Sequence, residues 1–204
     1  LADVIDNDSW RVVDGAGNYQ DKQVYRDGGD LSTVTAKYRQ VAEMTDHFSI
    51  PRQRLAFWRG SEKDDFKAFY VALCELFREA ELVPFVIEEV TCSVHKEPGK
   101  AYRVLQENLQ RIPDTVLVAF VGRSNGGGPT LAANATVPVI TVPASYKDFP
   151  DDVWSSLRVP SNVPVMTVLE PANAVLAALR ILGMHNPSIY ATMRLAQEEF
   201  LSDL

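Results

Sequence analysis

From Leu55 onward the apolar positions follow two alternating periods. Leu55-Ala56-Phe57-Trp58 is a short apolar run that predicts a strand, and it ends in Gly60-Ser61. Phe66, Phe69, Tyr70, Leu73, Leu76 and Phe77 then recur at three- and four-residue spacing, which predicts an amphipathic helix. Val83–Val90 predicts a second strand, and Tyr102, Leu105 and Leu109 mark a second helix. Val116–Val121, Val137–Val142 and Val163–Val168 predict the third, fourth and fifth strands. Ala172, Val175, Leu176, Leu179 and Leu182 line another helix, and Pro187–Leu201 adds the last.

Strands carrying Val and Ile on both faces, separated by helices, predict a parallel sheet covered on both sides. The expected fold is α/β, with three layers and a flavodoxin-like parallel sheet of about five strands. Ligands on such sheets bind beyond the carboxyl ends of the strands. That rule selects the loops 60–64, 91–99 and 122–129 and the chain from Pro143 onward. Residues 1–48 lack the pattern. Asp14-Gly15-Ala16-Gly17-Asn18 signals a turn, and 21–27 is densely charged. Thr35–Phe48 suits one helix, with Tyr38, Val41, Ala42 and Thr45 on one face. This is too little apolar material for an independent core, so 1–48 reads as an extension and 49–204 as the domain. The chain opens on Leu and goes straight into a patterned segment, which suggests a piece of a longer polypeptide.

Composition narrows the partners. The 204 residues are 46% hydrophobic and 23% charged, ordinary for a globular protein, and the net charge of −7 argues against non-specific nucleic-acid binding. An anion site must therefore be built locally. Two cysteines, Cys74 and Cys92, make no disulfide framework, and no Cys/His spacing suits zinc. Free thiols in a reducing cytoplasm are the simplest expectation, with no membrane partner, since no apolar run reaches spanning length and no signal peptide opens the sequence.

The stretch Gly122-Arg123-Ser124-Asn125-Gly126-Gly127-Gly128-Pro129 follows the third strand. Successive glycines let backbone N–H groups approach a ligand, and Arg123, Ser124 and Asn125 at its mouth suit an anionic, hydrogen-bonding small molecule. A surface turn is the plainer alternative. Ser61 and Asp64 follow the first strand, where a hydroxyl can meet phosphate and a carboxylate can accept from ribose hydroxyls; either also suits an N-cap. Ser93, His95 and Lys96 follow the second strand, and the imidazole is suited to moving a proton near neutral pH. Lys96 can face phosphate or carboxylate. Asp152–Ser161 suggests a short helix anchored by Trp154. His47 and His185 read as structural, and Met166 and Met184 as core.

Gly60-Ser61-x-x-Asp64, Ser93-x-His95-Lys96-x-Pro98, Gly122-Arg123-Ser124-Asn125-Gly126-x-Gly128-Pro129 and Asp152-Val153-Trp154-Ser155-Ser156-Leu157-Arg158 stand together in this order. The chain from about Leu55 to its end resembles the animal-type (class II) phosphoribosylaminoimidazole carboxylase domain. Residues 2–11 with Asp21-Lys22-Gln23-x-Tyr25-Arg26 resemble the tail of phosphoribosylaminoimidazole-succinocarboxamide synthase, which animals fuse ahead of the carboxylase. Asp8, Lys22 and Arg26 match positions of the synthase site, whose ATP-binding portion this chain lacks.

The resemblance implies reversible carboxylation of 5-aminoimidazole ribonucleotide by CO2 at C4, without ATP, biotin or metal. It makes His95 the proton-transfer residue, Ser61 and Asp64 the holders of the phosphoribosyl group, and Ser93, Lys96, Arg123 and Ser124 contacts for phosphate or carboxylate. Backbone N–H groups of Gly126, Gly127 and Gly128 would meet the new carboxylate. It also implies a homo-octamer, with sites at subunit contacts. Four departures stand out: Lys63 for a small hydroxyl residue, Gly99 for an acidic one, Gly127 for a bulkier apolar one, and Ala132-Ala133-Asn134 for a Ser-Gly-Asn-like run. Gly127 is expected to loosen the CO2 pocket. The alternatives are a mutase that moves a carboxylate from N5 to C4, against which Gly-Arg-Ser-Asn argues, and a catalytically weakened scaffold.

Overall fold

The computed structural model describes residues 52–77, 83–107, 109–112 and 114–202. The helix expected over Thr35–Phe48, His47, and the synthase-like Asp8, Lys22 and Arg26 lie outside them. The chain divides into two compact units, Pro51–Leu182 and one that takes in Gly183–Leu204.

The first unit is built on five parallel strands: β1 (Arg54–Arg59), β2 (Val86–Thr91), β3 (Thr115–Val121), β4 (Val139–Pro143) and β5 (Met166–Thr167), in the order β2-β1-β3-β4-β5. This is the flavodoxin-like order expected from the alternating pattern. The connecting helices are α1 (Lys67–Phe77), α2 (Pro98–Glu107), α3 (Gly127–Asn134), α4 (Trp154–Leu157) and α5 (Pro171–Leu182). Side chains alternate between the two faces. Leu55, Phe57, Val116 and Val118 serve the face where α1 packs against α5, and the Phe57 ring lies 5.2 Å from that of Phe69. Ala56, Trp58, Leu117, Ala119 and Val139 serve the other, with Ala101 and Leu105 of α2 and Leu131 and Ala132 of α3. A fully buried Phe, Leu or Ile contributes about 1.5–3 kcal/mol, and such residues come from the strands (Leu55, Phe57, Leu117, Ile140) and from the helices (Phe69, Leu73, Leu105, Leu179) alike.

Several expectations shift, each for a local reason. β2 starts at Val86, beyond Pro84, which has no N–H to give a ladder. β1 gains a charged residue: Arg54 is buried, with Nη1 2.5 Å from Glu88 Oε2 and Nε donating to Thr115 Oγ1 at 3.2 Å. α2 ends at Glu107, Leu109 falls in a separate 3₁₀ turn, and Tyr102 is 55% exposed while Ala101 takes the inner position. On α5 the inward stripe is Ala174, Val175, Ala178, Leu179 and Leu182, and Ala172 faces out. β5 shrinks to two residues, because Pro164 cannot donate and the Val165 N–H turns back to Val163 O at 3.0 Å. Met166 and Met184 are not core; they are 39% and 53% exposed. The second unit contributes α6 (Pro187–Ser202), whose first turn is capped by Asn186 Oδ1, which accepts from the N–H groups of Ser188 at 3.1 Å and Ile189 at 3.3 Å. Among the described residues no helix is long and apolar enough to cross a membrane, and no group of three His, Cys, Asp or Glu side chains stands ready to hold a metal.

Candidate active site

The chain leaves β1 toward α1 on one face of the sheet, and leaves the neighbouring β3 toward α3 on the other. This divergence opens a crevice at the carboxyl ends of the strands. Its floor is the turn Gly122–Gly126. The Asn125 N–H donates to Gly122 O at 3.0 Å, and both Ser124 (φ 67°) and Asn125 (φ 49°) are left-handed. That conformation costs an L residue roughly 1–2 kcal/mol, least for Asn.

Asp64 meets the start of this turn. A Cβ on Gly122 would lie 3.1 Å from Asp64 Oδ1, close enough to press on the carboxylate, and in ordinary contact with Ser145 Oγ at 3.6 Å. Burial pushes the Asp64 carboxyl above its ordinary range, while backbone hydrogen bonds from Gly122 and Ser61 and the Arg59 charge pull it down. Arg59 is fixed at the end of β1: its Nε donates to Thr91 Oγ1 at 2.8 Å and its guanidinium lies 4.9 Å from the Phe66 ring centre. Ser61 is exposed, and its Oγ accepts the Lys63 N–H at 3.3 Å.

His95 meets the other end of the turn. A Cβ on Gly126 would lie 3.3 Å from His95 Nε2, 3.5 Å from Cε1 and 3.7 Å from Ser124 Oγ. The imidazole therefore rests on bare backbone, with the Ser124 hydroxyl close by. Its loop is held from both sides. The Trp58 indole donates to Cys92 O at 2.8 Å, and Ser93 accepts the Lys96 N–H on its Oγ at 3.2 Å and the Glu97 N–H on its carbonyl at 2.8 Å. The Lys96 side chain is exposed. Burial raises the Cys92 thiol, which suits a packing role rather than a nucleophile.

Gly127 and Gly128 are not loop residues; they open α3, which the sequence pattern missed. The first N–H groups of a helix lack intrahelical partners, but the Gly128 N–H donates to Asn125 O at 3.3 Å and is not available to a ligand as expected, so the donors beside His95 are those of Gly126 and Gly127. Pro129 fits in the first turn because its missing N–H has no bond to lose there. Asn125 is fully buried, with its amide turned inward to Ser156, so what it offers the crevice is backbone. Trp154 does begin a short helix but is 46% exposed, with the Arg158 guanidinium 4.5 Å above it; Ser156 is the buried residue there.

With this geometry in place, the sequence matches the family described as AIR carboxylase over residues 60–202. The chain belongs to the AIR carboxylase family. It is similar to the probable multifunctional protein ADE2 of Caenorhabditis elegans, 36% identical over 206 residues, which span 97% of this chain and 48% of that protein. It is also similar to the bifunctional phosphoribosylaminoimidazole carboxylase/phosphoribosylaminoimidazole succinocarboxamide synthetase of Homo sapiens, 36% identical over 205 residues, 95% of this chain and 47% of that protein. The chain thus spans about half the length of these relatives. A crystal structure of PurE from Treponema denticola shares the fold, with a TM-score of 0.63 and 24% identity over 74% of this chain and 94% of that one.

The AIR carboxylase crevice accommodates its unusual residues. Val121 Cγ1 and Val94 Cγ2 would lie 3.1 and 3.7 Å from a Cβ on Gly127, so the valines fill the space a larger side chain would take and no gap opens there. Nothing lies within 4 Å of a Cβ on Gly99. The sequence pattern does not point to the buried hydroxyls of Thr141 and Ser156 or to half-buried Ser145. Ser145 follows the end of β4, where the strand-end rule points without naming a residue.

Asp64 yields a stability test. Its carboxyl is raised by burial, so at neutral pH its ionised form weighs against the folded state. Asp64→Asn should melt at or above the parent temperature at pH 7. The gap should close as pH falls from above the raised value toward the unfolded one, because the folded parent takes up its proton first. Thermal melts of both proteins from pH 7 to pH 3 check this; a variant that melts lower at pH 7 would show the backbone bonds, not burial, to dominate.

Proposed function

We propose that this chain catalyses the reversible carboxylation of 5-aminoimidazole ribonucleotide at C4 by CO2, giving 4-carboxy-5-aminoimidazole ribonucleotide for purine biosynthesis. Residues 49–204 form the carboxylase domain in this reading, and 1–48 a remnant of a succinocarboxamide synthase. The observation that carries it is His95 Nε2 resting against the Gly126 backbone at the start of α3.

The amino group of the substrate pushes electrons into the ring, so C4 attacks CO2 as an enamine-like carbon. The adduct carries both a proton and a carboxylate on C4. His95 removes the proton to restore aromaticity and returns it in the reverse direction. The N–H groups at Gly126 and Gly127 stabilise the developing carboxylate from fixed positions, which costs little reorganisation. Ser61 and Asp64 hold the phosphoribosyl group across the turn, with Ser93, Lys96, Arg123 and Ser124 around the phosphate or carboxylate. Assembly into a homo-oligomer, an octamer by resemblance, is supported by Trp154 and Leu157 on α4 and Met166 on β5, apolar side chains left exposed on touching elements.

The test is incubation of the purified chain with 5-aminoimidazole ribonucleotide and bicarbonate, without ATP, followed by absorbance of the carboxylated product. Product should form at a rate that rises with dissolved CO2. No product from this mixture, together with turnover of the N5-carboxy isomer, would assign the mutase reaction instead; ligand-induced thermal stabilisation without turnover of either would leave a scaffold. Light scattering on the same sample reads the assembly.

A further inference from the structure

The segment from Phe149 to Ser156 has no part in the chemistry above, yet it meets the glycine turn residue by residue. The Arg123 guanidinium lies 4.4 Å from the centre of the Phe149 ring. The Ser124 N–H donates to Asp152 Oδ2 at 2.9 Å. Asn125 Nδ2 donates to Ser156 Oγ at 2.5 Å, and Ser156 Oγ also takes a hydrogen bond from Thr141 Oγ1 of β4 at 3.0 Å. Arg123, Ser124 and Asn125 are thus each engaged by a different residue of one short stretch.

These contacts fall where the backbone needs them. Ser124 and Asn125 are both left-handed, an arrangement that side-chain sterics oppose. Asn usually supports it by hydrogen-bonding its own neighbouring backbone. Here the Asn125 amide is fully buried and spent on Ser156, and its Oδ1 has no partner among the described residues. Beyond the turn's own bond from the Asn125 N–H to Gly122 O, the hold on it comes from Asp152 and Ser156. A turn relaxed to ordinary φ would swing Gly126 off His95 and Gly122 off Asp64, because both close approaches depend on the path between them.

We propose that Asp152 and Ser156 are positioning residues that lock Ser124 and Asn125 in the left-handed region and so keep Gly126 seated against His95. The consequence for rate rests on the carboxylase reading; the lock itself does not. A different account of Asp152 is open to the same test. It lies in the first turn of the 3₁₀ helix Pro150–Val153, where a negative charge favours the helix end. A charge role is lost in Asp152→Asn as fully as in Asp152→Ala, whereas a hydrogen-bond acceptor is retained in Asn.

The experiment compares Asp152→Ala, Asp152→Asn and Ser156→Ala in the full chain by carboxylation kinetics and by amide hydrogen exchange. Each Ala variant should lose about tenfold in kcat/KM, mostly in kcat, consistent with one positioned hydrogen bond. Asp152→Asn should stay within about threefold of the parent. Exchange at the Ser124 amide in Asp152→Ala, and at Asn125 in Ser156→Ala, should quicken by about tenfold while the amides of Leu117–Ala119 in β3 keep their rates. Ala variants that exchange and react like the parent would overturn the inference, and so would an Asn variant as impaired as Ala. Should the parent itself fail to carboxylate, the carboxylase reading falls, and the exchange rates at Ser124 and Asn125 alone decide the lock.

Discussion

His95→Asn should slow carboxylation by about 10²–10⁴-fold, the range for loss of a positioned acid–base group, while melting close to the parent. His95 is exposed on a turn whose shape is set by its neighbours. Ser93 accepts the Lys96 N–H on its hydroxyl and the Glu97 N–H on its carbonyl, and Trp58 pins Cys92, so replacing the imidazole removes no core contact. Asn keeps polarity and much of the shape but cannot carry a proton between C4 and water. The loss should therefore fall in kcat, with KM for the ribonucleotide little changed, because Asp64 and Ser61 lie at the other end of the turn. Initial rates at saturating substrate and CO2 decide the matter. A purified variant that turns over within about threefold of the parent would remove His95 from the proton transfer, whatever its proximity to Gly126.

The parts of this molecule that were legible in its sequence are those where one physical signal acts alone. Apart from Thr115 and Thr141, β3 and β4 are apolar on both faces, and that pattern has no competing explanation in a chain with helical intervals. Stripes such as Phe69 and Leu73 on α1 read equally well. Where two signals compete, the pattern misleads. Val163–Val168 has the composition of a strand, but Pro164 removes a donor in the middle of it, and only Met166–Thr167 pairs with β4. Gly126–Pro129 has the composition of a loop, yet Leu131 and Ala132 bury against the sheet and draw the glycines into α3. Arg54 looks like a strand boundary and is buried, because Glu88 and Thr115 on the flanking strands meet its charge. The crevice follows the same division. The strand-end rule selects loops that the structure brings together, with Asp64 and His95 at the two ends of the glycine turn. Ser145 and the inward engagement of Ser156 arise from pairings between loops far apart in sequence, and no local spacing encodes them.

Gly128→Ala offers the largest expected effect on stability, and it sets two principles against each other. Alanine in place of glycine within a helix favours folding by up to about 1 kcal/mol, and Gly128 lies in the first turn of α3. Against this, a Cβ at 128 would lie 2.4 Å from Thr141 Cγ2 and 2.9 Å from Thr141 Cβ. Thr141 is β-branched, fully buried and paired through β4, so neither atom has easy room to retreat. Rotating the side chain away from the clash would take Oγ1 off Ser156 and leave buried polar groups short of a partner, at about 1–3 kcal/mol. Overpacking itself costs about 1–3 kcal/mol. The steric term therefore wins by roughly 2 kcal/mol or more, and the melting temperature should fall by about 5–10 °C for a chain of this size. Thr141→Ser removes Cγ2 and keeps the hydroxyl, so in the double variant it should restore part of the loss although it is harmful or neutral alone. That non-additivity is the signature of direct contact. Gly128→Ala melting at or above the parent would mean that α3 slides to make room, and that glycine at 128 answers to the ligand rather than to the sheet.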